Sequence, residues 1–184
     1  MATNDNHLRE VFTRPPITAY RRQPNIRNAL IRAKVPKTNR QNRYLRGMTK
    51  CNRNCPTCPY IKEGKSLKIN KKEWKINKKL DCTSFNVVYA ITCKKEKCKE
   101  SYIGETKRML KARIADHCGY VRNKRIDKAT GYHFNLPGHS LADLTVTAIE
   151  QSKKKDPLYR KQRELYHIKR FDTFHNGMNR EKKG

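Results

Sequence analysis

Residues 86–105 read NVVYAITCKKEKCKESYIGE, and this stretch decides the fold. Its first eight residues are rich in β-branched and aromatic side chains, the composition of a buried strand. Residues 101–105 (SYIGE) form a second short strand, and the polar connection between them carries Cys93 and Cys98. Working outward, Thr106 is placed to cap a helix over residues 107–120, with Leu110, Ile114 and His117 on one face. Residues 122–141 hold a loop and a short helix closed by Leu136-Pro137-Gly138. Residues 144–149 (LTVTAI) alternate cleanly and read as a third strand. Asp156 before Pro157 is an N-cap followed by proline at the first helical position, opening a helix that runs to about residue 171. The order strand, strand, helix, loop, strand, helix predicts an α/β (α+β) domain over residues 83–180. Its expected core is a small three-stranded mixed sheet flanked by helices.

The chain ahead of this domain has a different character. Residues 1–50 hold twelve Lys and Arg against two acids and read as a basic arm. Within it, residues 26–33 have helical spacing, with Ile26, Leu30 and Ile31 apolar and Asn25 as N-cap. Residues 51–82 form a Cys-rich and Lys-rich extension. The sequence KINKK occurs at 68–72 and again at 75–79. Leu67, Ile69, Trp74 and Ile76 fit a strand pair with a polar turn near residues 70–72.

Composition narrows the function. The formal net charge is +28, and a charge of this size needs a partner that relieves its self-repulsion. A polyphosphate does so by ion pairing and counterion release. Anionic membrane is the rival, but a basic membrane binder shows a long amphipathic helix with Trp, Phe or Leu on one face, and none is evident. Residues 87–91 are the longest apolar run, far short of a membrane span. The first residues (MATNDNHLRE) lack the apolar stretch of a secretory signal. Only 35% of residues are hydrophobic, so the core is modest and needs reinforcement.

The seven cysteines suggest where that reinforcement comes from. In a reducing compartment, ligation of metal is favoured over disulfides. Cys51, Cys55 and Cys58 fall within eight residues on a proline turn, and Cys82 is the candidate fourth ligand of a zinc site. Cys93 and Cys98 with His133 and His139 make a second set with zinc-like spacing. Free thiols and exposed histidines are the bland alternatives. Cys118 is left over and reads as a structural thiol.

A third constellation is polar. Arg113 and His117 lie at i and i+4 of one helix, so they share a face. Tyr89 and Tyr102 sit on neighbouring strands, and Glu164 lies among Arg160, Lys161 and Arg163. Taken singly, these residues read as core tyrosines, a solvated pair and an ion pair.

Together they resemble a known signature. Val87-Val88-Tyr89, Tyr102-Ile103-Gly104, Arg113, His117, Glu164 and Asn179 resemble the GIY-YIG endonucleases, with Val-Val-Tyr standing where the first tripeptide has Gly-Ile-Tyr. The Cys pair, the His pair and the segments YIGETKRMLKARIADH, HFNLPGHSLADLTV and RKQRELYHIKRFDTFHNGMN resemble the variant carried by Penelope-like retroelements. PNIRNALIRAKVP and CNRNCPTC resemble the linker that precedes it. The resemblance implies a nuclear DNA endonuclease that nicks double-stranded target for retroelement integration. Element RNA or a reverse-transcriptase region are the further candidate partners. It implies that Glu164 holds Mg2+ or Mn2+ and that Arg113 pairs with the scissile phosphate. Tyr89 would position or deprotonate the water, its pKa depressed by Arg113 or the metal. Tyr102 and His117 would orient water and phosphate, Gly104 would permit close backbone packing, and Asn179 would brace the site. Zinc would be structural, as one or two ions. A zinc-stabilised nucleic-acid binder without catalysis is the alternative reading.

Overall fold

The computed structural model describes residues 46–51, 55–98, 100–152 and 156–179. The elements are β1 (Gly47–Met48), a 3-10 turn (Cys58–Tyr60), β2 (Ser66–Ile69), β3 (Lys72–Lys75), β4 (Lys79–Leu80), β5 (Val87–Cys93), β6 (Ser101–Thr106), α1 (Leu110–Arg122), α2 (Ala129–His133), a second 3-10 turn (Leu141–Asp143), β7 (Leu144–Gln151) and α3 (Pro157–Phe171). The helix expected at residues 26–33, and all of the basic arm before residue 46, lie outside the described residues. No helix among the described residues is long and apolar enough to cross a membrane.

β5 is the centre of the three-stranded sheet, in the order β6-β5-β7. The sequence reading expected a mixed sheet; both ladders are antiparallel instead. Residues 94–100 are too few for the crossover of about a dozen residues that a parallel neighbour requires. The β5–β7 ladder shifts register between Val88 and Tyr89, where Ile149 is the extra residue. Such a bulge bends the strand that carries the extra residue, here β7, opposite Val88 and Tyr89.

Strand alternation gives the sheet two buried faces. Val87, Tyr89, Ile91, Leu144, Val146 and Ala148 pack under α1, against Leu110, Ile114, Cys118 and Val121. Met48, Ile61, Ile76, Leu80 and Cys82 join the same cluster. On the other face Val88, Ala90, Ile103 and Ile149 meet Phe171 of α3 and Leu67 and Ile69 of β2. Full burial of each such aliphatic side chain contributes roughly 1.5–3 kcal/mol.

The lysine-rich repeat therefore has one buried side. β2 and β3 pair antiparallel through a two-residue turn at Asn70 and Lys71, both at positive φ (48° and 64°). That is the turn geometry whose twist matches a hairpin. Trp74 Nε1 donates to the Ile149 carbonyl at 3.2 Å, and Asn70 Nδ2 donates to the Phe171 carbonyl at 2.8 Å.

Two helix starts contrast. α3 begins as expected: Asp156 accepts from the Leu158 N–H at 2.9 Å, with Pro157 at the first position. α1 does not begin at Thr106, whose Oγ1 accepts instead from the Arg108 N–H at 3.0 Å. α1 starts at Leu110 without a side-chain cap. The Leu110 and Lys111 N–H groups donate to the Ser84 and Cys82 carbonyls, each at 2.8 Å, so a neighbouring segment replaces the cap.

Candidate active site and metal centres

The β5–β6 ladder sets Tyr89 opposite Gly104. A Cβ on Gly104 would stand 2.6 Å from Tyr89 Oη and 2.7 Å from Tyr102 Cε1. Both tyrosine rings thus lie over bare backbone, which no other residue type provides. α1 covers this face and brings Arg113 and His117 onto the phenol. Arg113 Nε donates to Tyr89 Oη at 3.0 Å, and Tyr89 Oη lies 2.8 Å from His117 Nε2. His117 Nδ1 is 2.9 Å from Thr130 Oγ1 on α2. The rings of Tyr102 and Tyr120 stand edge-on to His117, with centroids 5.5 and 5.7 Å away.

Burial sets the protonation states. It pushes the Tyr89 phenol well above its ordinary range, with Tyr102 adding to the rise and Arg113 offsetting only part of it. Tyr102 is raised by burial and then by Glu164. Arg113 does lower the Tyr89 pKa, as expected, but desolvation of a buried phenol outweighs one guanidinium, so without a metal the net shift is upward. His117 is lowered to about 3 by burial and then by Arg113, so its imidazole is neutral at pH 7. Burial opposes the charge on Arg113, but its hydrogen bonds to Tyr89 and Tyr120 contribute to a net upward shift, so it stays charged.

Glu164 and Asn179 meet on the open edge of β6. Asn179 Oδ1 accepts from the Ile103 N–H at 2.7 Å, and its Nδ2 donates to the Ile103 carbonyl at 2.7 Å. Thr173 Oγ1 holds the same amide at 2.8 Å. Glu164 accepts from the Glu105 N–H, two residues along the same edge. The Met178 N–H donates to the Ser101 carbonyl at 2.9 Å. The Ser101 carbonyl, both groups of Ile103 and the Glu105 N–H on this edge are thus paired. Burial and the charge of Glu105 raise Glu164 to about 7, with Arg113 and Lys161 opposing. A hard oxygen donor held in this way suits a divalent cation, whose charge would offset both the burial and the repulsion from Glu105.

Tyr89, Tyr102, Gly104, Arg113, His117, Glu164 and Asn179 are therefore brought together. Sequence reasoning missed Tyr120 and Thr130. Tyr120 had a signal, since it lies three residues after His117 on the same helix. Thr130 had none, because it comes from a different short helix.

Two clusters could hold metal ions: Cys51, Cys55, Cys58 and Cys82, and Cys93, Cys98, His133 and His139, each with ligand atoms within 4.8 Å of one another. β1 pairs in parallel with β4, which brings the segment leading to Cys51 beside the one leading to Cys82. Cys58 Sγ lies 3.5 Å from Cys51 Sγ and 3.6 Å from Cys82 Sγ. Zn–S bonds of about 2.3 Å give tetrahedral S···S edges of about 3.8 Å, so the spacing fits. In the second cluster Cys98 Sγ is 3.5 Å from His133 Nε2. His139 Nδ1 donates to the Pro137 carbonyl at 3.3 Å, which leaves a buried Nε2 with no protein partner. An orphaned imidazole nitrogen beside two thiols is what a metal would satisfy.

An open groove of about 2020 Å³ runs from Tyr102 and Asn179 to His133 and His139, with Lys71, Lys97 and Lys128 on its walls. It joins the polar site to the second cluster.

The family model for the GIY-YIG catalytic domain matches residues 85–183, more than half of the 184-residue chain. No curated protein and no solved structure gives a match. The family match implies nuclease activity on nucleic acid, with divalent metal as the general cofactor of such domains.

Proposed function

The chain belongs to the GIY-YIG catalytic domain family, and from that premise we propose that it is a DNA endonuclease that nicks phosphodiester bonds. The observation that carries this reading is the bonded series Arg113, Tyr89 and His117 beside the Glu164 carboxylate. Arg113 pairs with the scissile phosphate, a charge-assisted contact that survives any pH of interest. Tyr89 acts on the attacking water. The water gives a proton to Tyr89 Oη as the phenolic proton passes to His117 Nε2, so a free tyrosinate need not form. Hydroxide attacks phosphorus, the bond to the 3′ oxygen breaks, and that oxygen takes a proton from bulk water, to which His117 returns the one it received. The phosphate charge on Arg113 removes one of the two causes that hold His117 low. Glu164 is the residue that would hold Mg2+ or Mn2+, which supplies Lewis-acid charge for the phosphate. Tyr102 orients the water, while Gly104 and Asn179 position the strand that carries it.

The two Cys/His clusters support the Penelope-like type, with structural zinc in each. The nick would then expose a 3′ end for target-primed reverse transcription in the nucleus, alongside element RNA or a reverse-transcriptase region. The groove with Lys71, Lys97 and Lys128 offers a path for the DNA backbone.

The test is plasmid nicking by wild type, Arg113→Ala and Glu164→Ala. Wild type nicks supercoiled plasmid in Mg2+, and both variants lose nicking while Glu164→Ala keeps its DNA affinity. Unchanged cleavage by Glu164→Ala would sink the assignment. Salt-sensitive binding with no cleavage in Mg2+ or Mn2+ by the wild type would also overturn it.

A further inference from the structure

We propose that Thr130 is a positioning residue that fixes the tautomer of His117, keeping Nδ1 protonated and Nε2 free to accept from Tyr89. The inference rests on the endonuclease reading for its consequence, but not for its geometry.

Counting protons around Tyr89 Oη fixes the tautomer. Tyr89 Oη accepts from Arg113 Nε at 3.0 Å and has one proton of its own to place. Tyr89 is fully buried, and among the described residues the protein acceptor bonded to its hydroxyl is His117 Nε2 at 2.8 Å. If Nε2 carried the imidazole proton, Oη would receive two donors and its own proton would have no acceptor among the described residues. A buried unsatisfied donor costs about 1–3 kcal/mol. The neutral imidazole must then carry its proton on Nδ1, and Thr130 Oγ1 at 2.9 Å is what receives it. In a relay that delivers the Tyr89 proton to Nε2, the opposite tautomer is inert, because Nε2 is already occupied.

The fold holds Thr130 tightly. It is 1% exposed, on a helix only five residues long. The neighbouring Gly131 packs so closely that a Cβ there would collide with the Arg125 carbonyl oxygen. Asn135 Nδ2 ties the helix down by donating to the Val121 and Gly131 carbonyls at 2.9 and 2.7 Å. The helix ends at His133, a member of the second Cys/His cluster. That cluster therefore anchors, at one remove, the hydroxyl that orients His117. Thr130 itself does not line the groove; it acts through the imidazole.

The test uses the full chain with 15N-labelled histidine, the His117 signals being assigned from their absence in His117→Gln. The wild-type ring should show a protonated Nδ1 and an unprotonated Nε2. In Thr130→Val, which keeps the shape and removes the hydroxyl, the pattern should reverse or average. Its kcat for nicking should fall roughly 100-fold at unchanged KM, the scale of losing a correctly oriented imidazole. Thr130→Ser should restore the wild-type ring pattern and come within about threefold of its kcat. A wild-type ring protonated at Nε2 would overturn the proposal, as would a Thr130→Val chain with the wild-type pattern and kcat. If Thr130→Val does not fold, the wild-type spectrum and the Ser variant decide alone: a reversed ring in either is fatal. If no chain nicks DNA and yet the ring pattern moves as described, the endonuclease reading fails and the positioning role stands.

Discussion

Tyr89 and Gly104 face each other across the β5–β6 ladder, and the phenol of one occupies the space where the other would have a side chain. Any Cβ at 104 would meet Tyr89 Oη at 2.6 Å and Tyr89 Cζ at 2.8 Å. Gly104→Ala should therefore displace the Tyr89 hydroxyl from Arg113 and His117. Overpacking of this kind costs about 1–3 kcal/mol. Thermal unfolding should show that loss, and nicking should fall far more than stability does.

Removing the hydroxyl alone separates chemistry from packing. Tyr89→Phe keeps the ring and leaves His117 Nε2 and Arg113 Nε without their partner. Nicking should drop by at least roughly 100-fold, the usual scale of an acid–base contribution. Stability should fall by about 1–3 kcal/mol, the cost of stranding a buried nitrogen. A chain that nicks at the wild-type rate would exclude Tyr89 from the proton path.

Asn179 closes the edge of β6 by pairing with both backbone groups of Ile103. Asn179→Ala strands the two groups and should destabilise the protein by about 2 kcal/mol. Asn179→Asp keeps the acceptor and loses the donor, so it should lie between wild type and Ala. Denaturant midpoints of the three chains check the order. Equal midpoints for wild type and Ala would show that water replaces the amide.

Glu150 lies behind the site and accepts from Arg163 and His167, with its Oε2 2.7 Å from Arg163 Nη2 and 2.9 Å from His167 Nε2. Burial alone would raise its pKa, but the bonds from His167 and Arg163 prevail and lower it to about 2. A carboxylate lowered in the folded state stabilises fully above its unfolded pKa and loses that stabilisation as pH falls through the folded value. Glu150→Gln should thus be about 2 kcal/mol less stable than wild type at pH 7, discounted because the carboxylate is partly exposed. The gap should close between pH 4.5 and about 2. Parallel melts across that window check it, and a gap independent of pH would point to shape rather than charge.

Metal content can be read without any nuclease assay. The full chain should carry two zinc ions, and Cys58→Ser or Cys98→Ser should each remove one. Loss from the first cluster should melt the start of α1, because Lys111 is bonded to the Cys82 carbonyl. Elemental analysis with hydrogen exchange at residues 110–113 checks both statements. A full chain free of zinc would refute the pair of sites.

What the sequence by itself determined is the part governed by local chemistry. Strand composition placed β5 and β6, the Asp156-Pro157 start placed α3, and the spacings of the cysteines and histidines matched the clusters that form. The start of α1 was misread because its cap is not local: two carbonyls from Cys82 and Ser84 do the work that Thr106 was expected to do. The antiparallel β5–β6 pairing was legible in the short connection of residues 94–100, whereas the placement of β7 on the other side of β5 was not. Only the tertiary structure decided the protonation states. Arg113 does touch Tyr89, yet the phenol is raised, because enclosure by β6 and α1 outweighs a single neighbouring charge. Thr130 likewise became visible only once α2 had packed against α1. Periodicity reports which face a residue is on; desolvation and hydrogen-bond partners depend on what the rest of the chain brings to that face.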